Sequence, residues 1–273
     1  AHSTFSLNDG FGYPQEHQEY AYGNGMDALA LTDHGTCAGL SYAILNAKKM
    51  REEGKDFKAI LGVEAYFIPD AIEWREIYEE IKQDKKAARA LKKRESSTTA
   101  ETDGSSRESN TTLPRYAHLI LFAQNQVGLN NIYSIVSESH DENHFYRRPR
   151  VDFNLLRKYN EGVICASACL GGIVGREMYS GRDAGLNEEE IYQNALAKLK
   201  TFVEIYGDRF YGELQWNSVP EQHVVNKMVI RASKEIGIKI ISTADSHYPT
   251  QDAWRDREMY KRLGWLSRGT PSW

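Results

Sequence analysis

An α/β fold, either layered or closed into a barrel, is predicted by three features of the chain. Short apolar runs alternate with helix-forming segments along most of its 273 residues. There is no internal repeat. His34, Cys169, Asp245 and His247 each fall at or just beyond the C-terminal end of an expected strand. In parallel α/β folds that end of the strands is where ligands and reactive groups collect.

The elements follow in order. Ala28 to Thr32 is a short apolar run that ends in Asp33-His34-Gly35 and reads as a strand delivering polar residues. Leu40 to Glu53 is rich in Ala, Leu and Lys and is closed by Gly54, so it reads as a helix. Phe57 to Ile68 is a second apolar run, interrupted by Gly62 and Glu64 and ended by Pro69. Residues 73–112 change character. Glu73 to Lys93 is a charged helix-forming run, and Ser96 to Thr112 holds almost nothing apolar. Such a segment cannot bury enough surface to offset its ordering entropy, so a helical arm and a disordered loop are expected as an insertion. A strand over His118 to Ala123 and a helix over Gly128 to Ser139 come next. Gly162 to Ser167 reads as a strand ending near Cys169, and Glu188 to Tyr206 has helical periodicity. Phe210 to Gln215 is a strand. Pro220 to Ile236 is a helix, with Pro in its first turn and Gly237 just past its end. Ile238 to Thr243 is the last strand and leads into Asp245-Ser246-His247.

Composition narrows the function classes. Thirty-four Lys and Arg against 38 Asp and Glu give a formal charge of −4, which excludes a strongly basic histone-like binder but not a local basic groove. No stretch approaches 18 apolar residues, so no membrane-spanning helix is expected. Nothing at the start reads as a signal peptide. Cys37, Cys165 and Cys169 are too few and too irregular for a disulfide framework, which suits a reducing, cytoplasmic location.

The chemistry is concentrated in a few side chains. An extended Asp245-x-His247 puts a carboxylate and an imidazole on one face, within reach of one cation. Glu64 lies inside an apolar run without an adjacent Lys or Arg, and a buried carboxylate needs a partner that a cation can supply. His118 starts its strand, so it reaches the same end as the others only if that strand runs antiparallel, the geometry expected here. Neighbours in an extended chain point oppositely. His34 is therefore assigned to a metal, and Asp33 to the ligands' surroundings or the substrate side. Mixed His, Asp, Glu and Cys donors suit Zn²⁺ or Mn²⁺ and are poor for the all-oxygen cations Ca²⁺ and Mg²⁺. Several such groups in one cleft suggest two or three ions, an arrangement that activates water and neutralises a phosphate during in-line displacement. Arg147, Arg148 and Arg150, beside Phe145 and Tyr146, offer phosphate forks and a stacking surface.

In ordered combination these segments resemble the PHP (polymerase and histidinol phosphatase) domain, in the form found at the N-terminus of bacterial-type DNA polymerase III alpha subunits. The residues that carry the likeness begin with His2-Ser3, Phe5 to Gly10, Leu31 to Gly35 and Gly62 to Tyr66. They continue with His118 to Ala123, Phe145 to Asp152, Ser167 to Leu170, Glu213 to Gln215 and Ala244 to Tyr248. Only residues 73–112 stand outside it. The resemblance implies one PHP domain over residues 1–273, folded as a distorted (β/α)7 barrel with a metal cluster at the strand C-termini. It also implies that His2, Asp9, His34, Glu64, His118, Cys169, Asp245 and His247 are ligands for a di- or trinuclear Zn²⁺ or Mn²⁺ site. Asp33, Asp245 and His247 are the expected catalytic groups, and Arg148 and Arg150 the expected phosphate contacts. His140 and His144 fall outside the pattern.

Active members of the family are metal-dependent 3′–5′ exonucleases, while others have lost ligands and act as scaffolds. The expected partners are a single-stranded DNA 3′ end, the polymerase core of the parent chain and a proofreading exonuclease subunit, with no membrane. The family opens on His-x-His, and Ala1 occupies the middle position, so the resemblance implies a further His immediately upstream. No polymerase palm, fingers or thumb lies within the 273 residues, which implies the N-terminal part of a longer polymerase. An inactive scaffold is the first alternative, disfavoured because every family position present keeps a metal-competent residue. A free-standing histidinol-phosphatase-like enzyme is the second, disfavoured by the Phe145–Arg150 and Ser167–Leu170 segments, which match the polymerase branch.

Overall fold

The computed structural model describes residues 1–95 and 116–266. Its strands are β1 (Ala28–Leu31), β2 (Lys58–Phe67), β3 (Ala117–Ala123), β4 (Arg150–Val151), β5 (Val163–Ala166), β6 (Phe210–Gln215) and β7 (Lys239–Thr243). The helices are α1 (Pro14–Gly23), α2 (Leu40–Glu52), α3 (Ala71–Glu95), α4 (Gln126–Glu138), α5 (Phe153–Lys158), α6 (Ile173–Asp183), α7 (Glu188–Tyr206), α8 (Pro220–Ile236) and α9 (Trp254–Leu266). The six longer strands run β1-β2-β3-β5-β6-β7 across one sheet, and the two-residue β4 pairs with β2. β1 runs parallel to β2, and β5, β6 and β7 run parallel to one another. β3 is antiparallel to both β2 and β5, which brings His118, near its start, to the end where the parallel strands finish.

One edge of β2 is served by three segments in turn: β1 against Lys58–Leu61, His34 against Glu64, and β4 against Tyr66 and Phe67. The first residues of the chain bridge the two edges of the sheet. Thr32 N donates to Ala1 O at 2.9 Å, and His2 N donates to Ser246 O at 2.8 Å. The sheet thereby curls into a distorted barrel, as expected from the sequence.

Strand alternation divides the core. Val63, Ala65, Leu119, Leu121, Cys165, Phe210 and Leu214 face outward and are packed by helices α4 to α8 into one large apolar cluster. Residues of the opposite parity face the interior, where Ile120 and Ala166 pack with Phe122, Tyr211 and Ile241. Gly62, Glu64 and Tyr66 share the parity of this inner face, as do Glu213 and Gln215.

Most expected elements stand within a residue or two of their predicted bounds because their caps are local. Asn187 and Glu190 form a capping box at the start of α7, and Gly237, at φ +74°, ends α8 in the left-handed region. The helix expected from Glu73 begins two residues earlier, at Ala71, and its first turns are not a detached arm: Ala71 and Trp74 are buried with Ile68. The disordered loop expected over Ser96 to Thr112 lies outside the described residues. Helices α1, α5, α6 and α9, and the short β4, were not anticipated.

Candidate metal centre

The ligand-competent residues reach one cleft from separate elements: the loop before α1 (His2, Asp9), the end of β1 (His34), β2 (Glu64), β3 (His118), the loop after β5 (Cys169) and the loop after β7 (Asp245, His247). The cleft measures about 450 Å³ and is also lined by Tyr66, Tyr116, Arg148, Arg257 and Lys261. Glu64 is its centre. It is almost fully buried, and its Oε1 lies 2.8 Å from both His34 Nδ1 and His118 Nδ1. Its Oε2 lies 3.7 Å from His2 Nε2, which itself lies 3.0 Å from Asp245 Oδ1. Asp9 Oδ2 approaches His34 Nε2 at 3.2 Å and His247 Nε2 at 3.5 Å. Cys169 Sγ stands 3.5 Å from His118 Nδ1. The imidazole of His2 stacks on those of His34 and His247, at 4.3 and 4.4 Å between ring centres, and those two lie 5.7 Å from each other.

The backbone is forced where these side chains converge. Asn8, Ala168 and Asp245 all have positive φ, at 65°, 62° and 53°, and each adjoins or is a candidate ligand. Such conformations cost energy outside glycine and persist where surrounding contacts fix them. Asp245 therefore does not belong to the extended Asp-x-His that the sequence predicts. It turns through the left-handed region, which Asp tolerates, and His247 Nδ1 folds back to within 2.7 Å of Asp245 O.

The electrostatics call for positive charge. Burial opposes ionisation of Glu64, but the nearby His118, His34 and His2 hold its carboxyl well below the usual range. Burial likewise opposes the Asp9 charge, yet hydrogen bonds to His247 and His34 and the Arg257 charge keep it ionised far below that range. Burial would lower His34, but Asp9 and Glu64 hold it up to about 10. Burial pushes the Cys169 thiol well up, with the Glu64 and Asp245 charges adding to the effect. A cation reverses this last shift, because a coordinating thiol loses its proton outright.

The donor set fits metal ions. His2, His34 and His247 form one group whose ligand atoms lie within 4.8 Å of one another; Glu64, His118 and Cys169 form a second; His2, Glu64 and Asp245 form a third. Glu64 and His2 each belong to two of these groups. His2 Nδ1 is buried with no hydrogen-bond partner among the described residues. Imidazole, carboxylate and thiol together suit a borderline ion of the Zn²⁺ kind.

Two expectations are corrected. Asp33 does not face the cleft. It is buried, accepts from Ser3 N at 2.6 Å and from both serine hydroxyls of Ser3 and Ser6, and so anchors the first loop instead of meeting substrate. Ser6 Oγ in turn accepts from His34 N at 3.1 Å, which ties this anchor to the ligand. Arg150 is not a phosphate contact. It is completely buried, donates to His144 O at 2.9 Å and lays its guanidinium 4.0 Å from the Trp74 ring centre. Arg148, two residues earlier, does line the cleft and lies over the Tyr66 ring. His144 pairs with Asp141 and Asp152, away from the ligands. Sequence reasoning missed Arg257, Lys261, Tyr66 and Tyr116 as lining residues. Arg257 and Lys261 sit in a helix whose other charges look the same, so no local signal marks them.

A model of the PHP domain family matches residues 1–217. The DNA polymerase III alpha subunit of Borreliella burgdorferi is 32% identical over 252 residues, which is 92% of this chain and 18% of that protein. The same subunit of Aquifex aeolicus is 34% identical over 247 residues, 90% of this chain and again 18% of the relative. The chain thus spans less than a fifth of the length of these curated relatives. Among solved structures, an amidohydrolase from Chromobacterium violaceum aligns with a TM-score of 0.46 at 14% identity, covering 95% of this chain and 94% of that one.

Proposed function

We propose that this chain, which belongs to the PHP domain family, is the N-terminal part of a replicative DNA polymerase alpha subunit and hydrolyses the 3′-terminal phosphodiester of single-stranded DNA. The observation that carries this reading is the convergence of three imidazoles, three carboxylates and one thiol on a single cleft beside the buried His2, all but Asp9 falling in three overlapping groups of ligand spacing. When bound there, Zn²⁺ or Mn²⁺ ions supply a hydroxide at neutral pH and neutralise the phosphoryl oxygens. His2, Asp9, His34, Glu64, His118, Cys169, Asp245 and His247 would hold them.

The protein's own groups do the rest. Arg148 and Lys261 place positive charge at the cleft for the phosphate, and the half-buried ring of Tyr116 offers an aromatic surface to a terminal base. Asp245 and His247, in the loop after β7, would act in the reaction as ligands that hold the ions beside the phosphate. The polymerase core of the parent chain, a proofreading subunit and a cytoplasmic location follow from the same reading.

The test is release of the 3′-terminal nucleotide from a 5′-labelled single-stranded oligonucleotide in Mn²⁺ or Zn²⁺. The comparison is between the wild type and a variant combining Asp245→Asn with His247→Ala. Loss of release with the melting temperature of the metal-free protein kept is expected. Degradation that survives in the double variant places the activity elsewhere and overturns the reading.

A further inference from the structure

The loop that carries Asp9 is gripped by α9, a helix that lies beyond residue 217, where the family match ends. Three residues of α9 make the grip. Arg257 Nε donates to Asp9 O at 2.9 Å, and its Nη2 donates to Asp9 Oδ1 at 2.6 Å. The Tyr260 hydroxyl accepts from Asn8 N at 3.0 Å. Gly264 packs so closely on Asn8 that a Cβ there would stand 2.7 Å from the Asn8 Cβ. Asn8 is held at φ +65° within this contact.

The consequence is a division of labour between the two oxygens of one carboxylate. Oδ1 is taken by the Arg257 fork, and Oδ2 is thereby aimed at His34 Nε2 and His247 Nε2. The Asp9 side chain is 37% exposed. Without the fork it gains rotamers that turn it into solvent. A guanidinium clamps both the backbone and the side-chain oxygen at fixed separation, which an ammonium cannot do.

We propose that Arg257 is a positioning residue for metal binding: it fixes Asp9 so that the ion on the His34–His247 side meets a preorganised ligand. The Glu64–His118–Cys169 group, in which Asp9 has no part, is expected to depend on it less. The proposal rests on the reading of the cleft as a metal centre, and it makes α9 a working part of that centre. Partners that orient ligands in this way are worth about 10- to 100-fold in metal affinity.

The experiment titrates the full 273-residue chain with Co²⁺, wild type beside Arg257→Gln, Arg257→Lys and Tyr260→Phe. Total affinity is read by calorimetry, and the Cys169 side is read separately by its thiolate-to-cobalt charge-transfer band. Arg257→Gln is expected to weaken one class of sites about 10- to 100-fold while the thiolate band titrates as in the wild type. Arg257→Lys, which keeps the charge and loses the fork, is expected to fall between the two. Tyr260→Phe, which keeps the fork but removes the acceptor for Asn8 N, is expected to weaken the same class less than Arg257→Gln does. If Arg257→Gln fails to fold, Arg257→Lys decides: a weakened first class supports the proposal and unchanged binding overturns it. Equal affinity in a folded Arg257→Gln overturns it. So does tighter binding, which would make Arg257 a competitor for Asp9, and so does equal weakening of both classes, the mark of a merely structural role. A wild type that takes no ion overturns the metal-centre reading itself and this proposal with it, so the two failures are distinguishable.

Discussion

The Arg150 guanidinium lies in the interior, 4.0 Å from the Trp74 ring centre and 5.5 Å from that of Tyr146, with two of its nitrogens buried and without hydrogen-bond partners among the described residues. Burial pulls its pKa down to about 10, with the Arg75 charge adding to the effect, so it still carries charge at neutral pH and relies on the ring faces. Removing a desolvated cation–π contact together with its packing stem costs more than a surface change. Arg150→Ala is therefore expected to lower unfolding stability by roughly 2–4 kcal/mol in a urea titration. Arg148→Ala is expected to change stability by less than about 1 kcal/mol and to weaken oligonucleotide binding instead. His17 gives a second residue-scale test. Its ring is buried, with Nε2 2.9 Å from Phe11 O, and burial lowers its pKa to about 4. Above the unfolded value near 6.5 both states are neutral and stability is complete. As pH falls below that value the unfolded chain takes a proton that the folded one refuses, so stability is lost until about pH 4. The loss is of the order of 3 kcal/mol. His17→Gln is expected to flatten that part of the stability-against-pH curve, and an unchanged acid limb would assign the loss to other groups.

At the scale of elements, α4 meets the turn before β5 backbone to backbone. A Cβ on Gly128 would stand 1.7 Å from Gly162 O, and Gly162 itself needs φ +65°. Nothing in this contact is the flexible end of a side chain, so Gly128→Ala is expected to cost roughly 1–3 kcal/mol or more, read by chemical denaturation. The insertion behaves oppositely. Its buried anchors, Ile68, Ala71 and Trp74, precede residue 83, and the side chains of residues 82–86 are exposed. Long surface segments add little closure entropy. Deleting residues 83–112 is therefore expected to move the melting temperature by no more than about 3 °C, whereas a large drop would show that the deleted segment packs on the barrel.

For the whole molecule, the candidate metal centre gathers the loop before α1, four strands or strand ends and the loop after β7, so any ion held there would be coupled to the global fold. Ligand held only by the native state at about 1,000 times its dissociation constant adds about 4 kcal/mol. Chelation is expected to lower the melting temperature by about 8–16 °C, and a scan unchanged by chelator would uncouple the cleft from metal. Much of this arrangement was legible in the residues. Alternation and strand termini are local properties, so His34, Cys169, Asp245 and His247 could be placed at one end of the sheet from spacing alone, whereas the reversal of β3 was the geometry that would bring His118 there and the β2–β3 pairing has it. Likeness to a family, and not spacing, singled out His2 and Asp9, because an isolated His or Asp in a loop carries no periodic signal. Tertiary structure alone decided the rest. Asp33 is consumed by Ser3 and Ser6, Arg150 is drawn under Trp74 while Arg148 stays in the cleft, and Arg257 reaches across 248 positions of sequence to hold Asp9. A side chain's type and its neighbours in sequence fix which contacts it is able to make. Which of them it does make depends on the distant element that the barrel closes against it, and that approach is set by packing over the whole chain.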